Sequence, residues 1–526
     1  MRMTTPPVIP QAAELSSLSH GELLDCAKSL SHTVADLTQQ LEWFKRQMFG
    51  VKSERLRLLD SGQLCLGQVG EVALPAAPLE QEVSAHRRRV ARNSEQDAGE
   101  AVPFFDEARV PVEVITLPAP GQSELSTDQY EVISEKVSYR LAQRPGSHVV
   151  LKYVRPVIKL RESQQLRCAN APLGVLEGSR ADVSFAAGLL VDKFAYYLPL
   201  YRQHQRLLDG GIKVSRPWLT QVGQHSSELL RPIYEAQFVS IRDSHLIAMD
   251  ETPIKAGRSG TGTMKTGYFW PVYGEHDEVC FPFFPTREAA CVYEALRSKH
   301  RSDAVLLSDG YAAYAQYAKR VGLIHAQCWA HARRELFEAQ HMDPEASQAA
   351  LLQIQALYAI EDDIRAQRLK GENKRLHRLT HSKPLVERFF EWIDQQFARQ
   401  GLLPSNPFVK ALAYARERRA GLEVFLTDPE VPLDTNHVER ALRVVPMGRK
   451  NWMFCWTELG AEHVGIVQSL ISTCRLHRID PYTYLVDVLQ RVGQHPAQRV
   501  AELTPRLWKQ HFADQPLRSD LYSTTR

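Results

Sequence analysis

SHLIAMDE (residues 244–251) and DAVLLSDGYAAYAQYA (residues 303–318) decide the architecture. Each opens on a short apolar run of strand length and breaks off at an acid: Asp250 followed by Glu251, and Asp309 followed by Gly310. The second run passes straight into a helical pattern. Strands alternating with helices predict an α/β sheet. In such sheets the C-terminal strand edge is where chemistry usually gathers. A single aspartate there often only caps the next turn. Two of them on one sheet point to a site.

The surrounding sequence extends this block. TGYFWPVYG and EVCFPFFP read as further strands, interrupted by a glycine-rich turn at 257–262, and a helix is expected around 288–299. LIHAQCWAHARRELFEA (323–339) is a strand running into a basic amphipathic helix. Residues 336–425 look helical and polar, with basic runs near 364–378 and 415–420, and two further helices are expected in AEHVGIVQSLISTCRLH and DPYTYLVDVLQRVGQ. His325, Cys328 and His331 have a spacing that invites a zinc site. Three ligands crowded at one strand-to-helix junction do not converge on a tetrahedral ion, and a fourth is missing. His331 and Arg333 remain as active-site neighbours.

Upstream the pattern changes several times. Leu23, Leu30, Leu37 and Phe44, with Ala27, Val34, Leu41 and Met48 between them, form an a/d seam of roughly three to four heptads, which suits a self-association helix. Residues 59–111 lose periodicity and read as a flexible linker carrying the basic cluster His86–Arg89. Residues 112–168 alternate apolar and polar side chains, which predicts a small module of short antiparallel strands. Residues 180–232 turn helical, with a Gly210-Gly211 break, Ser215 as N-cap and Pro217 in the first turn of the next helix. This fits a helix-turn-helix that would present Arg216, Trp218 and Gln221 to DNA, and equally two packed helices of any α domain.

Composition limits the class. The 526 residues are enough for several domains, and the net charge of +3 leaves partner choice to local patches. The eight cysteines are scattered without a CxxC pair, so free thiols in a reducing cytoplasm are expected. Neither a secretory signal nor an apolar run of membrane-spanning length is visible, so a cytoplasmic protein is expected.

A third acid comes from LDTNHVERALRVVPMGRKNW (433–452). On a helix Asn436, Glu439, Arg440 and Arg443 share one face, presenting a carboxylate, an amide and two guanidinium groups. Converging carboxylates raise one another's pKa and welcome a divalent cation, and a pair of Mg²⁺ ions can serve both sides of a phosphodiester. Asn436 and Glu439 also fit the N-cap and N3 positions of a capping box, a purely structural role. Arg449, Lys450, Asn451 and Trp452 add a base-and-aromatic cluster suited to DNA, or a solvated turn.

The order of these pieces resembles the insertion-sequence-66 family of bacterial transposases, in its TnpC-type large subunit. The motifs that carry the resemblance are FGVKSE (49–54), LPLYRQHQ (198–205), MDETP (249–253) and SDGYAAY (308–314). CWAHARRELFEA (328–339), NHVERALR (436–443), GRKNWMF (448–454) and IDPYTYLVDVL (479–489) complete the series. The resemblance implies a DDE transposase with a ribonuclease-H-like core. Asp250, Asp309 and Glu439 would be the catalytic and metal-binding triad, with Glu251, His331, Arg333 and Asn436 as neighbours. Two Mg²⁺ or Mn²⁺ ions would serve cleavage of element ends and joining of the freed 3′-hydroxyl to target DNA. Arg216, Trp218, Gln221, Arg440, Arg443, Arg449 and Lys450 would contact double-stranded DNA. The 130 positions between Asp309 and Glu439 (439 − 309) leave room for a helical insertion.

The expected fold is therefore multidomain α/β plus α. It comprises a coiled-coil helix (14–58), a flexible linker (59–111), a small β module (112–170), a helix-turn-helix-like region (171–238), the first part of the core (239–335), a helical insertion (336–425), the second part of the core with the Glu439 helix (426–475) and a helical C-terminal region (476–526). One departure stands out. Relatives carry a cysteine-rich zinc module where this chain has only Cys168, so the β module reads as a degenerate zinc ribbon and no structural zinc is expected. A homo-oligomer through the coiled coil is expected, and accessory proteins of the same element stand as candidate partners. A non-catalytic DNA-binding regulator and a structure-specific nuclease on the same fold remain alternatives.

Overall fold

The computed structural model describes residues 104–522, apart from 109, 145, 173, 261–262, 298–299, 400–402 and 453–454. The coiled-coil helix expected over 14–58 lies outside the described residues, as does nearly all of the linker expected over 59–111.

The described chain begins with a four-stranded sheet made of β1 (Val112–Thr116), β2 (Tyr130–Arg144), β3 (Ser147–Leu160) and β4 (Leu166–Cys168). The expected short antiparallel strands are instead one long hairpin, β2 paired with β3 from Tyr130↔Leu160 to Arg144↔Ser147. Gly146 at φ 86° makes the tight return. β1 runs parallel to β3, because the chain crosses over before β2 rather than turning directly. The inner half of this sheet is buried by the far end of the chain: Tyr153 donates to Asp520 at 2.9 Å, and Tyr482 donates to the Gln143 carbonyl at 2.7 Å. Cys168 is half-exposed, and its thiol lies 3.5 Å from the Ala169 carbonyl.

Three helices follow: α1 (Val183–Phe194), α2 (Leu200–Asp209) and α3 (Arg216–Arg242). Ser215 caps α3 by accepting from the Trp218 N–H, with Pro217 in the first turn, as the sequence predicts. At 27 residues α3 is far longer than one reading helix. Its C-terminal half packs into the next domain layer, where Gln237 donates to the Val279 carbonyl at 2.9 Å.

That layer is a five-stranded mixed sheet. Its strands are β5 (Leu246–Met249), a branch through β6 (Thr252–Gly260) and β7 (Thr263–Phe269) that forms its own sheet, then β8 (Val272–Gly274) and β9 (Glu278–Cys280). After β10 (Phe283–Phe284) and α4 (Ala289–Leu296) come β11 (Val305–Ser308), α5 (Ala312–Val321), β12 (Ile324–Gln327) and α6 (Trp329–Glu338). The order is β12-β11-β5-β8-β9, with β12, β11 and β5 parallel and β8 and β9 antiparallel to their neighbours. The inner parallel strands, β5 (LIAM) and β11 (VLLS), are continuous apolar runs and almost wholly buried, whereas the edge strand β12 (IHAQ) is half polar and leaves Ile324 exposed.

The segment between α6 and residue 436 is helical: α7 (Pro344–Ala366), α8 (Gly371–His377), α9 (Lys383–Phe397), α10 (Pro407–Glu417) and α11 (Arg419–Thr427). After it come α12 (Asn436–Leu442), α13 (Val444–Trp452), α14 (Glu458–Leu476), α15 (Pro481–Arg491) and α16 (Pro505–His511). α14 closes the sheet's β9 edge. Ser469 accepts from the Phe281 N–H at 2.9 Å and Thr473 from the Val279 N–H at 3.2 Å, so these edge amides are satisfied by helix hydroxyls. Gly465 makes this approach possible, since a Cβ there would meet the Phe281 carbonyl at 2.2 Å. No described helix is long and apolar enough to cross a membrane.

The helical segment has its own anchor. Arg378 is fully buried, bidentate to Glu361 at 2.8 Å, and donates to the carbonyls of Phe425, Asp428 and Val431. Removing one member of a buried ion pair strands the other, at a cost of about 3–5 kcal/mol. Arg378→Ala is expected to lower the urea midpoint of unfolding by a corresponding amount. Arg365→Ala, on a fully exposed pair with Asp362, is expected to leave it unchanged.

Candidate active site

Asp250 and Asp309 each follow the last residue of a strand, and those strands are direct neighbours. β5 and β11 pair in parallel with Leu307 opposite Ala248, a register that carries both acids to the same edge. Both are also held locally. An Asp250 carboxylate oxygen accepts from the Glu251 N–H at 2.8 Å, and one from Asp309 accepts from the Tyr311 N–H at 2.9 Å. The turn-capping role and the edge position therefore coexist.

The neighbouring acid, Glu251, is in a different state. Its carboxylate is buried, accepts from Tyr314, and is gripped by Arg287. Burial raises its pKa while Tyr314 and Arg287 pull it back. Among the described residues no cation is paired with Asp250. Burial raises its pKa most, the charges of Glu251, Asp309 and Glu439 add to that, and it reaches about 7.

Glu439 reaches this edge on α12. The N-cap of α12 is Thr435, not Asn436, and the capping box does not form. Asn436 is the first helical residue. Its N–H donates to Asp434 at 3.0 Å, and its side-chain amide donates to the same carboxylate. Glu439 is consequently free of the helix start, and its carboxylate faces Arg334 at 3.4 Å and His331 at 4.0 Å. Burial first, and then Arg334, lowers the His331 pKa.

Arg333, the neighbour expected from sequence, is exposed and lies over the Phe337 ring at 6.0 Å instead. The residue that reaches Glu439 is Arg334. His331 and Arg334 are three apart on α6, so the helical period marks them as the pair sharing a face. Arg287 and Tyr314 carried no such mark, since their role depends on the Glu251 position.

The expected DNA-contacting residues divide into two groups. Arg440, Arg443 and Lys450 are exposed, the first two on or at the end of α12 and the last on α13. Arg449 instead donates to the Pro253 carbonyl at 2.8 Å, pinning α13 to β6. Arg216 and Gln221 are exposed on α3, but Trp218 is half-buried and stacked on Phe185 with centroids 5.6 Å apart.

The donor set is one of oxygen-bearing carboxylates under mutual repulsion at a sheet edge, which suits a hard divalent cation. Among the described residues, no three His, Cys, Asp or Glu side chains lie close enough together to hold an ion as they stand.

Comparison with known proteins places this geometry in context. The family model described as "Transposase IS66 family" matches residues 178–463, one described as "IS66 C-terminal element" matches 469–506, and one described as "Transposase C of IS166 homeodomain" matches 36–100. The chain is 29% identical over 515 residues to the uncharacterized protein y4jD of Sinorhizobium fredii (strain NBRC 101917 / NGR234), covering 95% of this chain and 99% of the relative. It is 30% identical over 517 residues to the uncharacterized protein y4hP of the same strain, covering 91% and 90%.

The Asp250 pKa has a measurable consequence. The folded value lies above the unfolded one, so between 3.8 and about 7 the folded chain holds a proton that the unfolded chain releases. Stability falls as pH rises through that window. Asp250→Asn, which mimics the protonated form, is expected to raise the metal-free melting temperature at pH 8 and to change it little at pH 4, measured by differential scanning fluorimetry.

Proposed function

Because the chain belongs to the IS66 transposase family, we propose that it is a DDE transposase that cuts DNA at element ends and joins them to target DNA. The observation that carries this reading is the pairing of β5 and β11, which brings Asp250 and Asp309 to one edge where Glu439 adds to their field. The sheet order β12-β11-β5-β8-β9, with three parallel strands and two antiparallel ones, supports a ribonuclease-H-like core. The helices between Asp309 and Glu439 are then an insertion in that core.

Asp250, Asp309 and Glu439 are the residues that would hold Mg²⁺ or Mn²⁺. Bound there, the ions would supply Lewis-acid activation of the attacking oxygen and neutralise charge on the leaving oxygen. The remaining chemistry belongs to the chain. Arg440, Arg443 and Lys450 neutralise backbone phosphates beside the reacting bond, a contribution that weakens as salt rises. His331 and Arg334 hold the Glu439 carboxylate. Arg287 and Tyr314 hold Glu251 away from Asp250, so the two adjacent acids do not compete for the same partner. Cleavage breaks the P–O3′ bond as water adds to phosphorus. The freed 3′-hydroxyl then attacks a target phosphodiester and displaces its 3′-oxygen. Double-stranded DNA is the substrate, a homo-oligomer through residues 14–58 would bring two ends together, and the compartment is the cytoplasm.

Asp250→Asn, Asp309→Asn and Glu439→Gln are each expected to abolish Mn²⁺-dependent nicking of a labelled end-sequence duplex while retaining DNA affinity in a gel-shift assay. Full nicking by any one of them would sink the triad. DNA binding by the parent chain without nicking under any metal condition would favour a regulator, and preferential cutting of branched DNA would favour a nuclease.

A further inference from the structure

The helical segment between Asp309 and Glu439 also touches the acid edge. Of its basic run at 415–420, Arg416 faces Asp394 at 3.8 Å and Arg419 pairs with Glu423 at 2.8 Å, both on the surface. Arg418, at the junction of α10 and α11, turns inward and keeps only a 3.6 Å contact with the exposed Glu417. It donates to the Gly310 carbonyl at 3.1 Å, across 108 positions of sequence, and to the Tyr414 carbonyl at 3.1 Å. Its guanidinium lies over the Tyr414 ring, 3.9 Å from the centroid.

These two side chains cover Gly310, the residue after Asp309. A Cβ there would meet the Tyr414 hydroxyl at 2.6 Å and Arg418 Nε at 2.7 Å, so glycine is what lets α10 come this close. Arg418 Nε is buried and, among the described residues, has no partner. An unmatched buried donor costs stability, so packing alone does not explain this seat. What the seat achieves is a phenol ring fixed over the Asp309 turn.

The hydroxyl of that ring is left available. Half-buried tyrosines usually spend their O–H on a partner, as Tyr314 does on Glu251 and Tyr358 on Asp434. Tyr414 is half-buried, yet among the described residues its hydroxyl makes no hydrogen bond and is not sealed from solvent. Asp309 lies close enough for its charge to act on the phenol. A guanidinium in that place would pair with the carboxylate and compete with an added cation. A phenol donates to a phosphate oxygen and leaves Asp309 charged.

We propose that Tyr414 contacts the substrate at the acid edge, its hydroxyl donating to a non-bridging oxygen of the DNA phosphate held at Asp309, with Arg418 as the positioning residue that fixes its ring. Such a contact presupposes the DNA-cutting reading above and deepens it, because the helical segment then grips the reacting strand itself. Phosphate oxygens accept from a tyrosine hydroxyl whatever the base, so the contact places the strand without reading its sequence. The phenol keeps its proton and forms no covalent bond.

The test uses the full chain and reads affinity by gel shift in Ca²⁺. End-sequence duplexes carry at the element boundary either the natural phosphodiester or one diastereomer of a methylphosphonate, which replaces a single non-bridging oxygen by methyl. For the diastereomer that lacks the oxygen facing the phenol, the affinity penalty is expected to be about tenfold smaller in Tyr414→Phe than in the parent chain. For the other diastereomer the two penalties should match. Tyr414→Phe removes only the hydroxyl and should melt with the parent. Arg418→Gln should shrink the same penalty with Tyr414 intact, and Arg416→Gln should leave it unchanged. Equal penalties in parent and Tyr414→Phe for both diastereomers, a parent indifferent to the swap, or a full penalty in Arg418→Gln would each overturn the proposal. Nicking in Mn²⁺ is scored separately. A Tyr414-dependent penalty in a chain that never nicks keeps this contact and removes the catalytic reading; nicking with equal penalties keeps the acids and removes Tyr414.

Discussion

Cys328 and Trp329 stand at the end of β12, and the backbone of residues 433–435 closes onto them from the far side of the helical segment. The Trp329 N–H donates to the Leu433 carbonyl at 2.9 Å, its indole donates to the Leu422 carbonyl at 2.9 Å, and Thr435 donates to the Cys328 sulfur across 107 positions of sequence. Closing a loop of that length costs about 4 kcal/mol of chain entropy. A few buried hydrogen bonds at about 1 kcal/mol each offset this together with the packing of Trp329 against Phe389, Phe390 and Phe425. Gly421 admits the close contact, since a Cβ there would meet the Gln327 side chain at 2.4 Å. Without this closure α12 has no reason to lie at the sheet edge, and Glu439 would not add its charge to Asp250.

The same edge shows how one sheet gives neighbouring acids different characters. Glu251 has a guanidinium and a phenol within hydrogen-bonding reach; Asp250 has one backbone N–H and three negative neighbours. Burial acts on both, but among the described residues only Glu251 has a cation, Arg287, to offset it. An edge that leaves one acid uncompensated sets apart the group that most favours an added cation. Glu439 is the opposite case, compensated by Arg334.

Much of the sheet was legible in the sequence because buried parallel strands must be short, continuous and apolar, and because a strand that ends at an acid leaves a sharp boundary. The Ser215 cap and Pro217 were legible for a similarly local reason: both act within one helical turn. The same kind of local reasoning misread Asn436. Asn-x-x-Glu satisfies the spacing of a capping box, but Asp434, two residues earlier, takes the Asn436 N–H and moves the helix start. The pattern was right for a cap and silent about the competitor. The half-buried position of Trp218 was not legible for a different reason: its exposure was decided by Phe185 on another helix.

By itself the sequence determined where the strands end, which acids stand at those ends, and the family to which the ordered motifs belong. These are properties of local pattern, written within a few residues. Only the tertiary structure decided that Glu439 meets Arg334 rather than its own helix start, 105 positions apart. It alone decided that Glu251 is held by Arg287 and Tyr314 while burial and neighbouring acids raise Asp250. Those outcomes depend on through-space distance and on burial, and neither quantity exists until the chain has closed on itself.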